Sequence, residues 1–153
     1  MSLTAQAEKW EDVKDEIIPF LHHHWEEMEL NRDKIPLGVQ FEVYDNHAAG
    51  GTFLVVTLRK DGVLVGYFWG FLIPHIHHKT CLTLMMDLYW VHPSVRGKGL
   101  PGVKLLREVE AEAKRRGAQQ MFFGSKLHKD SSRLFEFLKM DPVEVYYNKW
   151  IGD

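Results

Sequence analysis

DLYWVHPSVRGKGLPGVKLLREVEAEAKRR, residues 87–116, decides how the rest of the chain is read. Residues 82–91 form an apolar run of strand character. His92-Pro93 ends it, because proline cannot donate to a ladder and restricts the residue before it. Arg96-Gly97-Lys98-Gly99-Leu100-Pro101-Gly102 follows, and then Val103, Leu105, Leu106, Val109 and Ala113 recur at helical spacing among charged residues. Pro101 suits the first helical position, where a missing N–H costs least. A strand, a glycine-rich turn and a helix start together create an anion site. Free N–H groups and the positive helix end converge there, and Arg96 and Lys98 add mobile positive charge.

The string Gly97-x-Gly99-x-x-Gly102 also satisfies a dinucleotide fingerprint. The next predicted strand, 118–123, ends in Gly124-Ser125-Lys126, with no carboxylate for a ribose hydroxyl. Too little chain follows for a doubly wound domain, so that reading is rejected.

With 153 residues the chain is expected to be a single domain, 1–153, with one substantial core. A net charge of −2 and no basic face argue against nucleic acid as a partner. No signal peptide is apparent. No apolar stretch reaches the ~20 residues that a membrane crossing needs, so no membrane partner is expected. The lone Cys81 cannot form an internal disulfide, and a reducing, cytoplasmic setting is expected.

In chain order, residues 4–30 are helical in pattern, with Trp10, Val13, Ile17, Leu21, Trp25 and Met28 three or four apart. Pro19 predicts two helices or a kink. The opposite face is acidic, from Glu8 to Glu29, with only Lys9 and Lys14 against it. A short strand is expected at 40–44 and a turn at 48–51. Strands at 52–59 and 63–73 flank the hairpin signal Lys60-Asp61-Gly62. Gly66 and Gly70 mark bends or close backbone approaches. Residues 74–79 read as a loop and 80–91 as the next strand. A crossover helix should then make 118–124 pair parallel with 80–91. A helix at 131–139 and an alternating edge strand at 143–150 complete the sheet. The fold class is α/β, a mixed, mostly antiparallel sheet flanked by helices.

The string V-x-P-x-x-R-G-K-G-L-x-G-x-K-L-L resembles motif A of the GNAT (acyl-CoA N-acyltransferase) superfamily, and the element order matches as well. His24-Trp25-Glu26-Glu27, Pro74-His75-Ile76-His77, the Asp87 strand and Tyr147-Asn148-Lys149 resemble the short GNAT proteins of phages and prophages. The resemblance implies the GNAT fold, with a parallel strand pair splayed at an acetyl-CoA site. It implies acetyl transfer from acetyl-CoA to a primary amine, with no metal; a homodimer is compatible with it. The diphosphate would be cradled by Arg96, Gly97, Lys98, Gly99, Leu100, Pro101 and Gly102. The pantetheine arm would bond to the backbone of Tyr89, Trp90 and Val91. Pro101 departs from the family pattern and supplies no N–H.

Acetyl transfer to an amine must remove a proton, hold an oxyanion and release a thiolate. Asp87 is the candidate base. Simple alternation puts it on one face with Tyr89 and Val91, and burial within an apolar strand would raise its pKa. His77 is a candidate proton relay and His75 an acceptor contact. A metal site on the histidine loop is the distant alternative, weakened by the absence of clustered carboxylates or cysteines. His24, Glu26 and Glu27 are acceptor-site candidates. The superfamily's usual acid, a tyrosine, falls at Phe135, and the asparagine that often precedes it falls at His128. Tyr146 or Tyr147 on the last strand is the substitute considered. That departure keeps open an acetyl-CoA-binding module with weak or no catalysis.

Overall fold

A computed structural model describes residues 2–153. Its elements are β1 (Leu3–Ala7), α1 (Trp10–Met28), α2 (Phe41–Ala49), β2 (Phe53–Lys60), β3 (Val63–His75), β4 (His78–Val91), α3 (Pro101–Arg115), β5 (Gln120–Phe122) and α4 (Ser132–Phe137). A single 3-10 turn, Pro93–Val95, precedes α3. The strands form one five-stranded sheet in chain order, antiparallel except for the parallel pair β4–β5. This is the expected mixed α/β sheet.

The sheet separates two cores. Leu54, Val56, Leu58, Phe68 and Leu84 pack with α3 and with Phe135 of α4. Phe53, Val55, Tyr67, Trp69 and Trp90 pack with Trp10, Val13, Ile17 and Leu21 of α1. Alternation along β2 sends neighbouring side chains to opposite cores, as the pleat requires. Gly66 and Gly70 make the expected close approaches. A Cβ on them would lie 2.9 Å from the Trp90 carbonyl oxygen and 2.6 Å from that of Met85.

Four expectations are corrected. Leu3–Ala7 is a strand, not the start of a helix: Leu3, Ala5 and Ala7 face the core while Thr4 and Gln6 are exposed. Of the alternatives at Pro19, two separate helices are excluded: one helix, Trp10–Met28, runs through it. Pro19 and Asp15, whose carbonyl loses a donor, both lie on the solvent side, where water can replace the bond. Residues expected as a strand at 40–44 and a turn at 48–51 instead form α2, up to Ala49. Phe41, Tyr44 and Ala48 fall three and four apart and pack on the α1 core. Finally, residues 143–150 form no strand and are exposed throughout.

Candidate active site

β5 pairs with β4 only at Thr83, Leu84 and Met85. Beyond Met85 the two strands part, leaving the far half of β4 with a free edge on the β5 side. On its other edge, β4 registers Gly70 opposite Met86 but Trp69 opposite Leu88. Asp87 is therefore the extra residue of a β-bulge, in which two residues face one.

That insertion resets the alternation. Leu84 and Met86 face the α3 core before it, and Tyr89 and Val91 face it after; Leu88 and Trp90 face the α1 core. The expected shared face of Asp87, Tyr89 and Val91 is thus broken. Asp87 turns towards α1 and α2, where its Oδ2 accepts from the Tyr44 hydroxyl at 2.6 Å and from Trp69 Nε1 at 2.7 Å. It is exposed, not buried as expected. Burial, and then the carboxylate it donates to, push the Tyr44 phenol well above its ordinary range, so it remains a donor. Tyr44 was not foreseen, because it lies in the helix misread as a strand.

Of the three backbones expected to receive the pantetheine arm, Trp90 turns the other way. The His92 N–H bonds to Val65 on β3, so by alternation Trp90 also faces β3 while Tyr89 and Val91 face the free edge. The Val91 carbonyl accepts from Arg96 Nε at 2.8 Å.

The turn forms as its sequence suggests. Gly97, Gly99 and Leu100 have φ of 75°, 71° and 52°. Pro101 opens α3, and Gly102 sits so close to α4 that a Cβ would lie 3.0 Å from Leu134 Cδ2. The N–H groups of Gly97, Gly99, Leu100 and Gly102 donate to no carbonyl among the described residues. Lys98 N–H is partly engaged with Val95 O at 3.3 Å. Successive unpaired amides around left-handed residues at a helix start make an anion-binding concavity. Arg96 is not the mobile charge expected: its Nη2 pairs with Glu27 at 2.7 Å, bracing the turn against α1.

A depression of about 340 Å³ lies between α1 and the end of β4, lined by His23, Glu26, Glu27, Trp90, His92 and Pro93. Trp90 Nε1 is buried without a hydrogen-bond partner among the described residues. Glu26 and Glu27 are brought to this depression. His24 is not: it is 7% exposed, with Nδ1 3.0 Å from the Tyr67 hydroxyl. The acidic face is less free than the sequence suggests. Arg59 bridges Glu8 and Glu16, Lys126 pairs with Glu29, and His22 meets Glu26.

The histidine hairpin lies elsewhere. His75 and His78 are strand residues flanking a tight turn that contains His77. Nine residue steps along the strand separate His78 from Asp87, roughly 30 Å at the usual rise. His75 and His77 therefore sit too far from the bulge to serve it as acceptor contact or relay. No group of three or more histidine, cysteine or acidic side chains among the described residues could hold a metal. Tyr147 is 94% exposed on the unpaired C-terminal segment, and the strand expected to carry it to the site is absent. Phe135 is buried, its ring centroid 6.1 Å from that of Tyr89. His128 Nε2 contacts the Met28 carbonyl oxygen at 3.0 Å.

The parallel pair β4–β5 thus parts beyond Met85, next to a turn of unpaired amides at the start of α3. Residues 10–138 match the model of the Acetyltransferase (GNAT) family, and the chain belongs to that family. It is thereby an acyl-CoA-dependent acetyltransferase, of a family that uses acetyl-CoA. No curated protein sequence matches it. Among solved structures it is similar to a ribosomal-protein-alanine N-acetyltransferase from Brucella melitensis biovar Abortus 2308, with a TM-score of 0.74 and 18% identity over 100% of both chains. It is similar also to glucosamine-6-phosphate N-acetyltransferase from Arabidopsis thaliana, with a TM-score of 0.72 and 11% identity over 99% of this chain and 100% of that one. A third is AAC(6')-Iy in complex with the bisubstrate analogue CoA-S-monomethyl-acetylneamine, with a TM-score of 0.65 and 14% identity over 98% and 99%.

Proposed function

We propose that this protein transfers an acetyl group from acetyl-CoA to a primary amine, using the free edge of β4 and the amide turn before α3 to hold the donor. The observation that carries this reading is the line of unpaired N–H groups from Gly97 to Gly102, next to a strand edge that β5 leaves open. Backbone groups of Tyr89 and Val91 would align the pantetheine arm and polarise the thioester carbonyl. Holding donor and amine together is worth roughly 7–11 kcal/mol of barrier.

Asp87 is the base in this reading. Tyr44 and Trp69 both donate to Oδ2, which leaves Oδ1 for the amine proton. The amine would enter from the α1 side, by way of the depression lined by Glu26, Glu27 and Trp90.

Calorimetry with CoA and free-thiol release over an amine panel test the reading together. Gly99→Glu puts a carboxylate against the diphosphate at a backbone with φ of 71°, and should abolish CoA binding. Asp87→Asn should leave binding intact while lowering kcat roughly 100-fold or more. Unchanged affinity in the first variant would reject the turn as the donor site. One observation favours a second reading, a CoA-binding module without turnover: Phe135 is packed into the core at the position where the family places a tyrosine. CoA binding by the wild type with no thiol release from any amine would select it.

A further inference from the structure

We infer that Tyr89 supplies the proton to the departing sulfur, from the face of the sheet opposite to Asp87. This rests on the reading above and deepens it. The bulge that sends Asp87 towards α2 sends Tyr89 towards α4. There Tyr89 stands on the β4 side of the opening between β4 and β5. Phe123, just past β5, and Phe135 of α4 stand across from it, with ring centroids 5.7 Å apart. Met86 packs in the same cluster. In this apolar fork the Tyr89 phenol is a polar group, and it is tethered at the tip by a hydrogen bond to Ser131 Oγ. Ser131 is itself fixed: its N–H donates to Ser125 Oγ at 2.7 Å, and Ser125 donates to Asp130 at 3.1 Å.

Chemistry gives that hydroxyl a task. The amine nitrogen bonds to the carbonyl carbon, and the carbon–sulfur bond breaks with its electron pair on sulfur. The amine proton goes to Asp87 and then to solvent. A bare thiolate among Met86, Phe123 and Phe135 would be a costly unpaired charge. The Tyr89 hydroxyl, which donates to Ser131 Oγ at rest, turns its proton to sulfur, and the phenolate recovers a proton from water. A donor extended along the Tyr89–Val91 edge brings its reactive end to the residue whose side chain carries this proton. Burial holds the phenol above its ordinary range, against the Ser131 hydrogen bond and Arg96, which pull it down, and with Asp130 pushing up, so it is protonated when needed.

The test titrates the thiol of bound CoA by its thiolate ultraviolet absorbance and needs no acceptor. With CoA bound at saturation, Tyr89→Phe should reduce the thiolate fraction at a given pH above the thiol pKa by about tenfold. Replacing Tyr89 by a fluorinated tyrosine, a stronger donor of nearly the same shape, should shift the thiol the other way. It serves as the second probe should the Phe variant fold poorly. CoA bound with the same thiol pKa in wild type and both variants would reduce Tyr89 to a packing role and overturn the inference alone. A wild-type protein that binds no CoA would overturn the donor site and this inference with it.

Discussion

His24 shows what one buried imidazole does to a fold. The helical stripe of α1 reaches the core at His24, where the sequence favours Trp25. Its ring stacks on Trp90, and burial brings its pKa down from 6.5 to about 4. Glu27, Glu29 and Asp87 oppose that fall, and Lys126 adds to it. The unfolded chain protonates this residue near pH ~6.5 and the fold only near pH ~4, so between those values the unfolded state holds more protons. Stability should therefore fall as pH drops through that window, by roughly 3 kcal/mol in all, and be untouched by this group above it. His24→Gln should be less stable at neutral pH but flatter across the window. Urea unfolding at a series of pH values checks it, and parallel wild-type and variant curves would exclude His24 as the titrating group. None of this was legible beforehand, because a helical histidine reads the same in sequence whether it meets solvent or a tyrosine.

Among the elements, those with long apolar runs read well. β2, β3, β4 and α3 appear near their expected bounds, since burial on both faces or along one stripe leaves a strong pattern. α2 failed because Phe41-Glu42-Val43-Tyr44 alternates like a strand; only its contact with Trp10 and Phe53 selects the helix. The bulge was equally hidden: Asp87 looks like one more residue of β4 until Gly70 and Trp69 fix the register on either side. α4 offers a sharper test. Its C-terminus closes with Met140 N–H on Phe135 O and Lys139 N–H on Glu136 O, each at 3.0 Å. That paired closure places Lys139 in the left-handed region at φ 65°, a conformation that suits glycine. Lys139→Gly should stabilise the protein by about 0.5–1 kcal/mol, the relief of the Cβ less the added freedom of the unfolded chain. Denaturant midpoints read this directly, and a destabilised variant would mean the lysine side chain makes contacts that outweigh its backbone strain.

Over the molecule as a whole, the two cores close without the last residues. Val143, Val145 and Tyr147 alternate with Glu144, Tyr146 and Asn148, which is why the sequence suggests a closing strand. Period-2 alternation is necessary for a half-buried strand but does not create an edge to pair with. β5 is three residues long and parts from its neighbour, so it offers little ladder. Residues 141–153 accordingly bury no side chain. Their visible tie is Lys34 Nζ, 5.4 Å from the centre of the Trp150 ring. An exposed cation–π contact is worth about 0.5–1 kcal/mol. For a domain of this size each kcal/mol moves Tm by about 2–4 °C. A chain ending at Met140 should therefore melt cooperatively within about 4 °C of the full chain, followed by circular dichroism. It should also keep its CoA affinity, because the turn, the β4 edge and the fork around Tyr89 all lie before that point. Loss of the cooperative transition would place the tail in the sheet after all, and the free edge on which the donor site is built would have another occupant.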